Sequence, residues 1–337
     1  MSSISKRIDW ADALKGLLIL LVILGHSIQS VCIQRGGDFL SNYLWNLIYS
    51  FHMPAFMAIS GFLSYRPNKK GILILSIYRR LRQLIIPFIM WSVLMFVVNH
   101  NVGHIFDYIL YPNYSFWFLW ALFFIVVIFN IVDYLSERIH LRQELAIIGT
   151  ASILLVLRFV LPDAKLIGFE YVSYYFVYYI MAYYLHKYSG WIPQKSKVLF
   201  ILALAWFFLG SFYVATGVPS IVCWISIVPV SILNITYRVI TATIFIIMML
   251  GLGGKITIGK NKIWRYIIEF GNISLGVYVV HMVLRVWLVR LLDCMLPWCP
   301  NWVLMAVTFV LLSILSLWIV RLLGKWKITA IWLLGKV

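Results

Sequence analysis

The sequence predicts an all-α polytopic membrane protein, a bundle of about ten transmembrane helices with both termini in the cytoplasm. Hydrophobic residues make up 63% of the 337 residues and charged residues only 12%, with a mean hydropathy of +0.95. Soluble domains usually carry about a quarter charged residues. A soluble fold of this length could not bury so much apolar side chain, which excludes the soluble classes.

Ten apolar runs predict the ten spans, because about 20 residues cross a bilayer and fewer suffice inside a bundle. They cover residues 16–31, 44–65, 84–98, 116–132, 145–161, 172–186, 198–215, 239–252, 266–288 and 302–323. A further apolar stretch, 218–235, contains Pro219 and Pro229. We expect it to lie outside the membrane or to re-enter it.

The basic residues decide between ten and eleven spans. The net charge is +17, from 28 Lys and Arg against 11 Asp and Glu. With the N-terminus inside, ten spans leave six of the 28 outside and 22 inside, as the positive-inside rule demands. An eleventh span would reverse this bias in the last part of the chain. The six outside are Arg35, Arg158, Lys165, Arg238, Arg285 and Arg290.

This basic charge is typical of contact with anionic lipid, so the bilayer is the expected partner. No basic stripe alternates with aromatic residues, which argues against a nucleic-acid partner. The four cysteines form no CxxC pair, so no metal site is expected. We expect the first apolar run to be a retained span rather than a cleaved signal, and residues 1–337 to form one membrane-embedded domain without an appended soluble domain.

Three ionisable residues lie on one face of the first predicted span. Eleven residues at about 100° each bring Lys15 and His26 to within about 20° of each other, and Asp12 lies on the same side. A snorkelling Asp12–Lys15 pair and a structural histidine would explain each residue singly. Ionisable residues inside a span are costly, so three on one face favour a functional site.

Two further histidines are predicted at the depth of His26. At a rise of 1.5 Å per residue, His52 in the second span and His281 in the ninth both reach the outer half of the bilayer. Tyr278 lies one turn before His281. These positions predict a shared polar cavity, although the sequence does not establish that the three spans are neighbours.

An arginine cluster, Arg79, Arg80 and Arg82, stands at the start of the third span, just before Pro87. Anchoring of a cytoplasmic loop explains the cluster by itself. Its functional interpretation is a phosphate-binding site at the cytoplasmic end of the helix bundle, because the planar guanidinium group binds phosphate well.

Five segments containing these residues resemble the acyltransferase 3 family of membrane acyltransferases, and more closely its fucose 4-O-acetylase-like branch. They are DALKGLLILLVILGH (12–26), FHMPAFMAISGF (51–62), YRRLRQLIIPF (78–88), FWFLWAL (116–122) and ISLGVYVVH (273–281). They occur in the family's order, whereas residues 130–265 carry little that is diagnostic. One departure is Lys15, because many members have Arg at this position, and a lysine meets phosphate only as a point charge.

The resemblance implies a ten-span O-acetyltransferase of the bacterial inner membrane. It would use acetyl-CoA as co-substrate, with no bound cofactor, and acetylate a sugar hydroxyl of a surface polysaccharide or a lipid-linked glycan. We expect Arg79, Arg80, Arg82 and Lys15 to contact the donor. His26 would act as the general base or carry the acetyl group itself. Candidates for the acceptor cavity are Asp12, His52, Trp117, Tyr278 and His281.

Two other functions use the same features. A transporter or flippase for a lipid-linked sugar would need the polar cavity but no thioester, and would be expected to show paired broken spans in two halves, which the sequence lacks. A non-catalytic scaffold leaves the stripe of Asp12, Lys15 and His26 unexplained.

Overall fold

The structure is a computed structural model that describes residues 9–66, 73–98, 107, 110–112, 116–161, 165–217, 219–225, 227–255 and 261–336. These residues form helices joined by turns, and no strand occurs among them. The predicted all-α membrane fold is confirmed.

We number fourteen α-helices within the described residues. They are α1 (Asp9–Gln34), α2 (Tyr43–Tyr49), α3 (His52–Ser64), α4 (Leu73–Arg80), α5 (Ile86–Val98), α6 (Trp117–Arg138), α7 (Gln143–Val160), α8 (Phe169–Lys187), α9 (Ser196–Ser211), α10 (Val230–Gly253), α11 (Lys262–Asn272), α12 (Ser274–Met295), α13 (Asn301–Leu323) and α14 (Lys327–Trp332).

Each of the ten predicted spans coincides with helix. Among the described residues, eight helical segments are long and apolar enough to cross a membrane: α1, α2 with α3, α4 with α5, α6, α7, α10, α12 and α13. The other two predicted spans correspond to α9, which is a shorter apolar helix of 16 residues, and to the tyrosine-rich α8. The orientation of the termini stays a prediction.

Three predicted boundaries are wrong, each for a local backbone reason. The eighth span begins at Val230, directly after Pro229, and not at residue 239, because a proline readily precedes the first helical turn. The third begins at Leu73 and passes through a π-helical turn, Leu81–Ile85, just before Pro87, which has no N–H for the regular bond to the carbonyl of Gln83. The ninth is two helices, α11 and α12, that meet at Ile273.

The stretch 218–235 forms no separate span in its described residues. Residues 219–225 and 227–229 form turns and bends, and the remainder from Val230 belongs to α10. Four basic residues assigned to the outside lie within helices instead of loops: Arg158 in α7, Arg238 in α10, and Arg285 and Arg290 in α12. For Arg238 and Arg290 the predicted runs stop short of the true helix ends, whereas Arg158 and Arg285 lie inside the predicted runs 145–161 and 266–288.

The described helices belong to two compact units. The first comprises Met1–Ile59 and Tyr188–Trp318, and the second comprises Ser60–Lys187 and Ile319–Val337. The first unit therefore contains α1, α2, the start of α3, α9 to α12 and most of α13. That the chain forms one membrane-embedded domain stays a prediction.

In the first unit, α1 and α11 touch backbone to backbone at a pair of glycines. A methyl group added to Gly16 would overlap the carbonyl oxygen of Ile267, and one added to Gly271 would overlap the carbonyl oxygen of Asp12. Small residues permit such close approach of helices in membranes. The contact fixes the level of the α11–α12 segment relative to α1.

We predict that Gly271→Ala destabilises the protein, because the added methyl group must push two helix backbones apart. Overpacking of this kind costs about 1–3 kcal/mol, which corresponds to a fall of roughly 2–10 °C in the melting temperature. The measurement is thermal unfolding in detergent, followed by tryptophan fluorescence.

The matched control is Gly149→Ala in α7, where an added methyl group meets no atom within 4 Å. This variant should be as stable as the parent or slightly more stable, because alanine is the better helix former. Equal melting temperatures for Gly271→Ala and Gly149→Ala would contradict the close crossing.

Candidate active site

The polar face of α1 begins with an ion pair. The Lys15 Nζ lies 2.7 Å from Asp12 Oδ1, and Asp12 is buried while Lys15 is partly exposed. The pair is three residues apart, as expected for neighbours on one helix face. The carboxylate of Asp12 therefore balances the charge of Lys15 at this end of the helix.

Further along α1, His26 pairs with His281 of α12. The Nδ1 of His26 lies 2.8 Å from the Nε2 of His281, and the two rings are nearly parallel, with centroids 5.1 Å apart. His26 follows Gly16 by ten positions, and His281 follows Gly271 by ten. Equal lengths beyond the glycine crossing, each a rise of about 15 Å, bring the two histidines to one level.

The hydrogen bonds of this pair fix the tautomer of each neutral ring. The Nδ1 of His281 lies 2.9 Å from the carbonyl oxygen of Val277, which can only accept a hydrogen bond, so this nitrogen carries the proton. The Nε2 of neutral His281 must then accept, and the Nδ1 of His26 must donate to it. The free lone pair of His26 is therefore on Nε2.

The three candidate histidines differ in burial. His281 and His52 are buried, at 0% and 3% exposure, whereas His26 is partly exposed. The imidazole with the free Nε2 lone pair is therefore the one that a substrate can reach. Neither His52 nor His281 is exposed to the same extent as His26.

His52 lies beside this pair, at the break between α2 and α3. Pro54 has no N–H to donate to the carbonyl of Ser50, so the helix is interrupted between Tyr49 and His52. The Nδ1 of His52 donates to the carbonyl oxygen of Ile48 at 2.8 Å. The ring of Tyr49 is edge-on to His52 and His26, with centroids 4.5 and 6.5 Å apart. Tyr49 thus connects the third histidine to the pair.

Tyr278 and Arg285 complete the site on α12. Tyr278 is buried one turn before His281, and their ring centroids are 5.9 Å apart. Arg285 follows His281 by four residues, and its Nη1 donates to Gln29 Oε1 at 3.4 Å. Neither Arg285 nor Gln29 is among the site residues predicted from the sequence. The signal that could have revealed Arg285 is its spacing of one helical turn from His281 inside an apolar run.

A second arginine of the first unit, Arg238, holds the chain that follows α9. Its Nη2 donates to the carbonyl oxygens of Ala215 and Val214, and its guanidinium lies 5.5 Å from the ring centre of Tyr213. Burial raises the pKa of Tyr213, and the charge of Arg238 offsets part of that rise. The phenol therefore stays neutral, and Arg238 serves to fix this turn.

The predicted donor-contact arginines belong to the second unit. Arg79 is exposed at the end of α4, Arg80 donates from Nη1 to Gln83 Oε1 at 3.0 Å, and Arg82 lies over the ring of Tyr78 at 5.9 Å. The guanidinium group of Arg80 is held by a neutral amide and that of Arg82 by an aromatic ring. Such an arrangement leaves positive charge available to an anion.

Trp117 also belongs to the second unit, at the start of α6. Its ring stacks on Tyr171 and Tyr175, with centroids 4.4 and 5.2 Å apart. The three rings form an aromatic stack of the kind that lines ligand sites. His26, His52, Tyr278 and His281 thus come together in the first unit, where Asp12 and Lys15 lie further back on α1.

A family model described as an acyltransferase domain, that of the acyltransferase 3 family, matches residues 8–328. The chain belongs to the acyltransferase 3 family. The predicted class of enzyme, an acyltransferase, is confirmed at the level of the family.

The chain is also similar to two curated relatives. Nodulation protein NolL of Sinorhizobium fredii is 32% identical over 165 residues, which cover 45% of each chain. Nodulation protein NolL of Mesorhizobium japonicum is 31% identical over 129 residues, covering 36% of this chain and 35% of the relative. Each match thus spans less than half of the relative's length. No solved structure matches the chain.

Proposed function

We propose that this protein is a membrane O-acetyltransferase. It moves an acetyl group from acetyl-CoA to a sugar hydroxyl of a cell-surface polysaccharide or a lipid-linked glycan, in the inner membrane of a bacterium. Family membership supports the acyl transfer. The acetyl group, the CoA donor and the sugar acceptor are parts of the proposal.

The observation that carries this proposal is the hydrogen-bonded chain from Val277 through His281 to His26. A sugar hydroxyl has a pKa far above 7, so it needs a base at the moment of attack. His26 presents the Nε2 lone pair on a partly exposed ring, which is the form that a general base requires. His281 holds that tautomer by accepting the hydrogen of Nδ1.

In the proposed reaction, the imidazole of His26 acts first as a base and then as an acid. The Nε2 of His26 takes the hydroxyl proton while the sugar oxygen attacks the thioester carbonyl carbon. The resulting tetrahedral intermediate re-forms its carbonyl and expels the CoA thiolate. The imidazolium of His26 returns its proton to that sulfur, which completes the cycle without a cofactor.

The donor is proposed to enter from the cytoplasm. Arg79, Arg80 and Arg82 would hold the CoA phosphates, because guanidinium groups bind phosphate through paired N–H donors. Lys15 would add a further positive charge that Asp12 orients. The acceptor is proposed to contact His52 and Tyr278.

We predict that His26→Gln strongly slows transfer, because glutamine occupies a similar volume but accepts no proton near neutral pH. The loss should be about 10²- to 10⁴-fold, the usual contribution of a general base. The measurement is transfer of radiolabel from acetyl-CoA to a lipid-linked glycan extract, by purified protein in nanodiscs.

The matched control is His140→Gln, the same substitution at an exposed histidine in the turn after α6, which should transfer at the parental rate. A folded His26→Gln variant that transfers normally would contradict the proposed base. A parental protein that labels no glycan but moves glycolipid between leaflets would instead establish a transporter.

We also predict a positioning role for His281. His281→Ala should lower kcat about 10- to 100-fold, a part of the contribution of the base, with little change in the KM for acetyl-CoA. His281→Gln should recover part of the rate, because its amide oxygen can accept from the Nδ1 of His26. Equal losses in both variants, together with a raised KM, would indicate a structural role only.

A further inference from the structure

Arg285 is a partly buried charge that the proposed reaction does not yet use. It lies on α12 within a membrane-spanning segment, where a permanent charge is costly and marks a functional site by default. Its Nε is buried and has no hydrogen-bond partner among the described residues. The bond from its Nη1 to Gln29 is long, at 3.4 Å. The guanidinium therefore retains unused donors.

The geometry of two helices places this group next to the histidine pair. Arg285 follows His281 by four residues on α12, and Gln29 follows His26 by three on α1. Side chains on a helix lean toward its N-terminus, so Arg285 leans back toward the level of His281. Its charge acts on the rings of both histidines and of Tyr49.

Three other cations of the first unit already have partners. Lys15 pairs with Asp12 at 2.7 Å, and Arg35 pairs with Asp293 at 2.8 Å. Arg238 donates to two backbone carbonyl groups. No carboxylate partner of Arg285 occurs among the residues that the structure describes.

Acyl transfer needs a group of this kind near the base. When a nucleophile attacks a thioester, an electron pair moves onto the carbonyl oxygen, and preorganised donors aimed at that oxygen usually lower the barrier most. A guanidinium in a site shielded from water interacts strongly with such a charge. His26 supplies the proton acceptor but no donor for the carbonyl oxygen.

We propose that Arg285 stabilises the oxyanion that forms on the thioester carbonyl, which makes it a catalytic residue of the same site. This inference rests on the proposed acetyl transfer. As the sugar oxygen bonds to the carbonyl carbon and His26 takes the proton, the C=O electron pair moves to oxygen beside Arg285. As the C=O bond re-forms, the C–S bond breaks and the thiolate takes the proton from His26. The guanidinium keeps its protons throughout.

The test separates this role from a second one, binding of an anionic group of the acceptor. Arg285→Gln and Arg285→Lys are compared with Arg290→Gln, the same change at an exposed arginine of α12. Two reactions are followed in nanodiscs: acetyl transfer to the glycan extract, resolved into kcat and KM, and hydrolysis of acetyl-CoA by water without acceptor.

We expect Arg285→Gln to lower the kcat of transfer and the rate of hydrolysis by the same factor, about 10²- to 10³-fold. The KM values should change little. Arg285→Lys keeps the charge and should lose less, and Arg290→Gln should behave like the parent. Arg285→Lys also serves as the readout if Arg285→Gln fails to fold.

Two results would overturn the inference. An increase in the KM for the glycan with unchanged hydrolysis would make Arg285 an acceptor-binding residue, and unchanged kinetics would leave it outside the reaction. His26→Gln, measured alongside, keeps the two proposals apart. If the parent transfers and His26→Gln does not, a failure of Arg285→Gln to slow the reaction defeats this inference alone.

Discussion

The close crossing of α1 and α11 at Gly16 and Gly271 is the constraint on which the candidate site depends. At this point the two backbones leave no room for a methyl group on either residue. From the crossing, each of the two helical segments continues for ten residues to a histidine, and the two imidazoles lie at hydrogen-bonding distance. Ordinary side chains at the crossing would move α12 away from α1 by more than a hydrogen bond tolerates.

The same arrangement explains how polar groups are accommodated between apolar helices. Asp12 and Lys15 neutralise each other near the crossing. One turn beyond the histidine pair, Arg285 donates a hydrogen bond to Gln29. Each layer joins side chains that would be unfavourable alone in a membrane. The hydrogen bonds that run from the carbonyl of Val277 through His281 to His26 also leave the free lone pair of His26 on Nε2. One set of contacts thereby stabilises the first unit and prepares a base.

Much of this was predictable from the sequence, because helix periodicity is local. Each of the ten apolar runs corresponds to helix, and the shared face of Asp12 and Lys15 appears as an ion pair. The break at Ile273 was not predictable from hydropathy, since an apolar run looks the same across a kink. Arg285 lies inside the predicted run 266–288 near its outer end, and it was counted as an outside charge instead of being examined as an ionisable residue within a span. The His26–His281 bond depends on which helices are neighbours. In the sequence, only the equal spacing of each histidine from a glycine, Gly16 or Gly271, indicates that contact.

The most direct test of the account is cryo-electron microscopy of the full chain in nanodiscs with an acetyl-CoA analogue in which a methylene group replaces the thioester sulfur. The account predicts the carbonyl carbon of the analogue within about 6 Å of His26 Nε2, which leaves room for one hydroxyl oxygen between them. The His26–His281 hydrogen bond should be retained in that complex. An acetyl group bound away from His26, or a His26 ring turned away from His281, would contradict it.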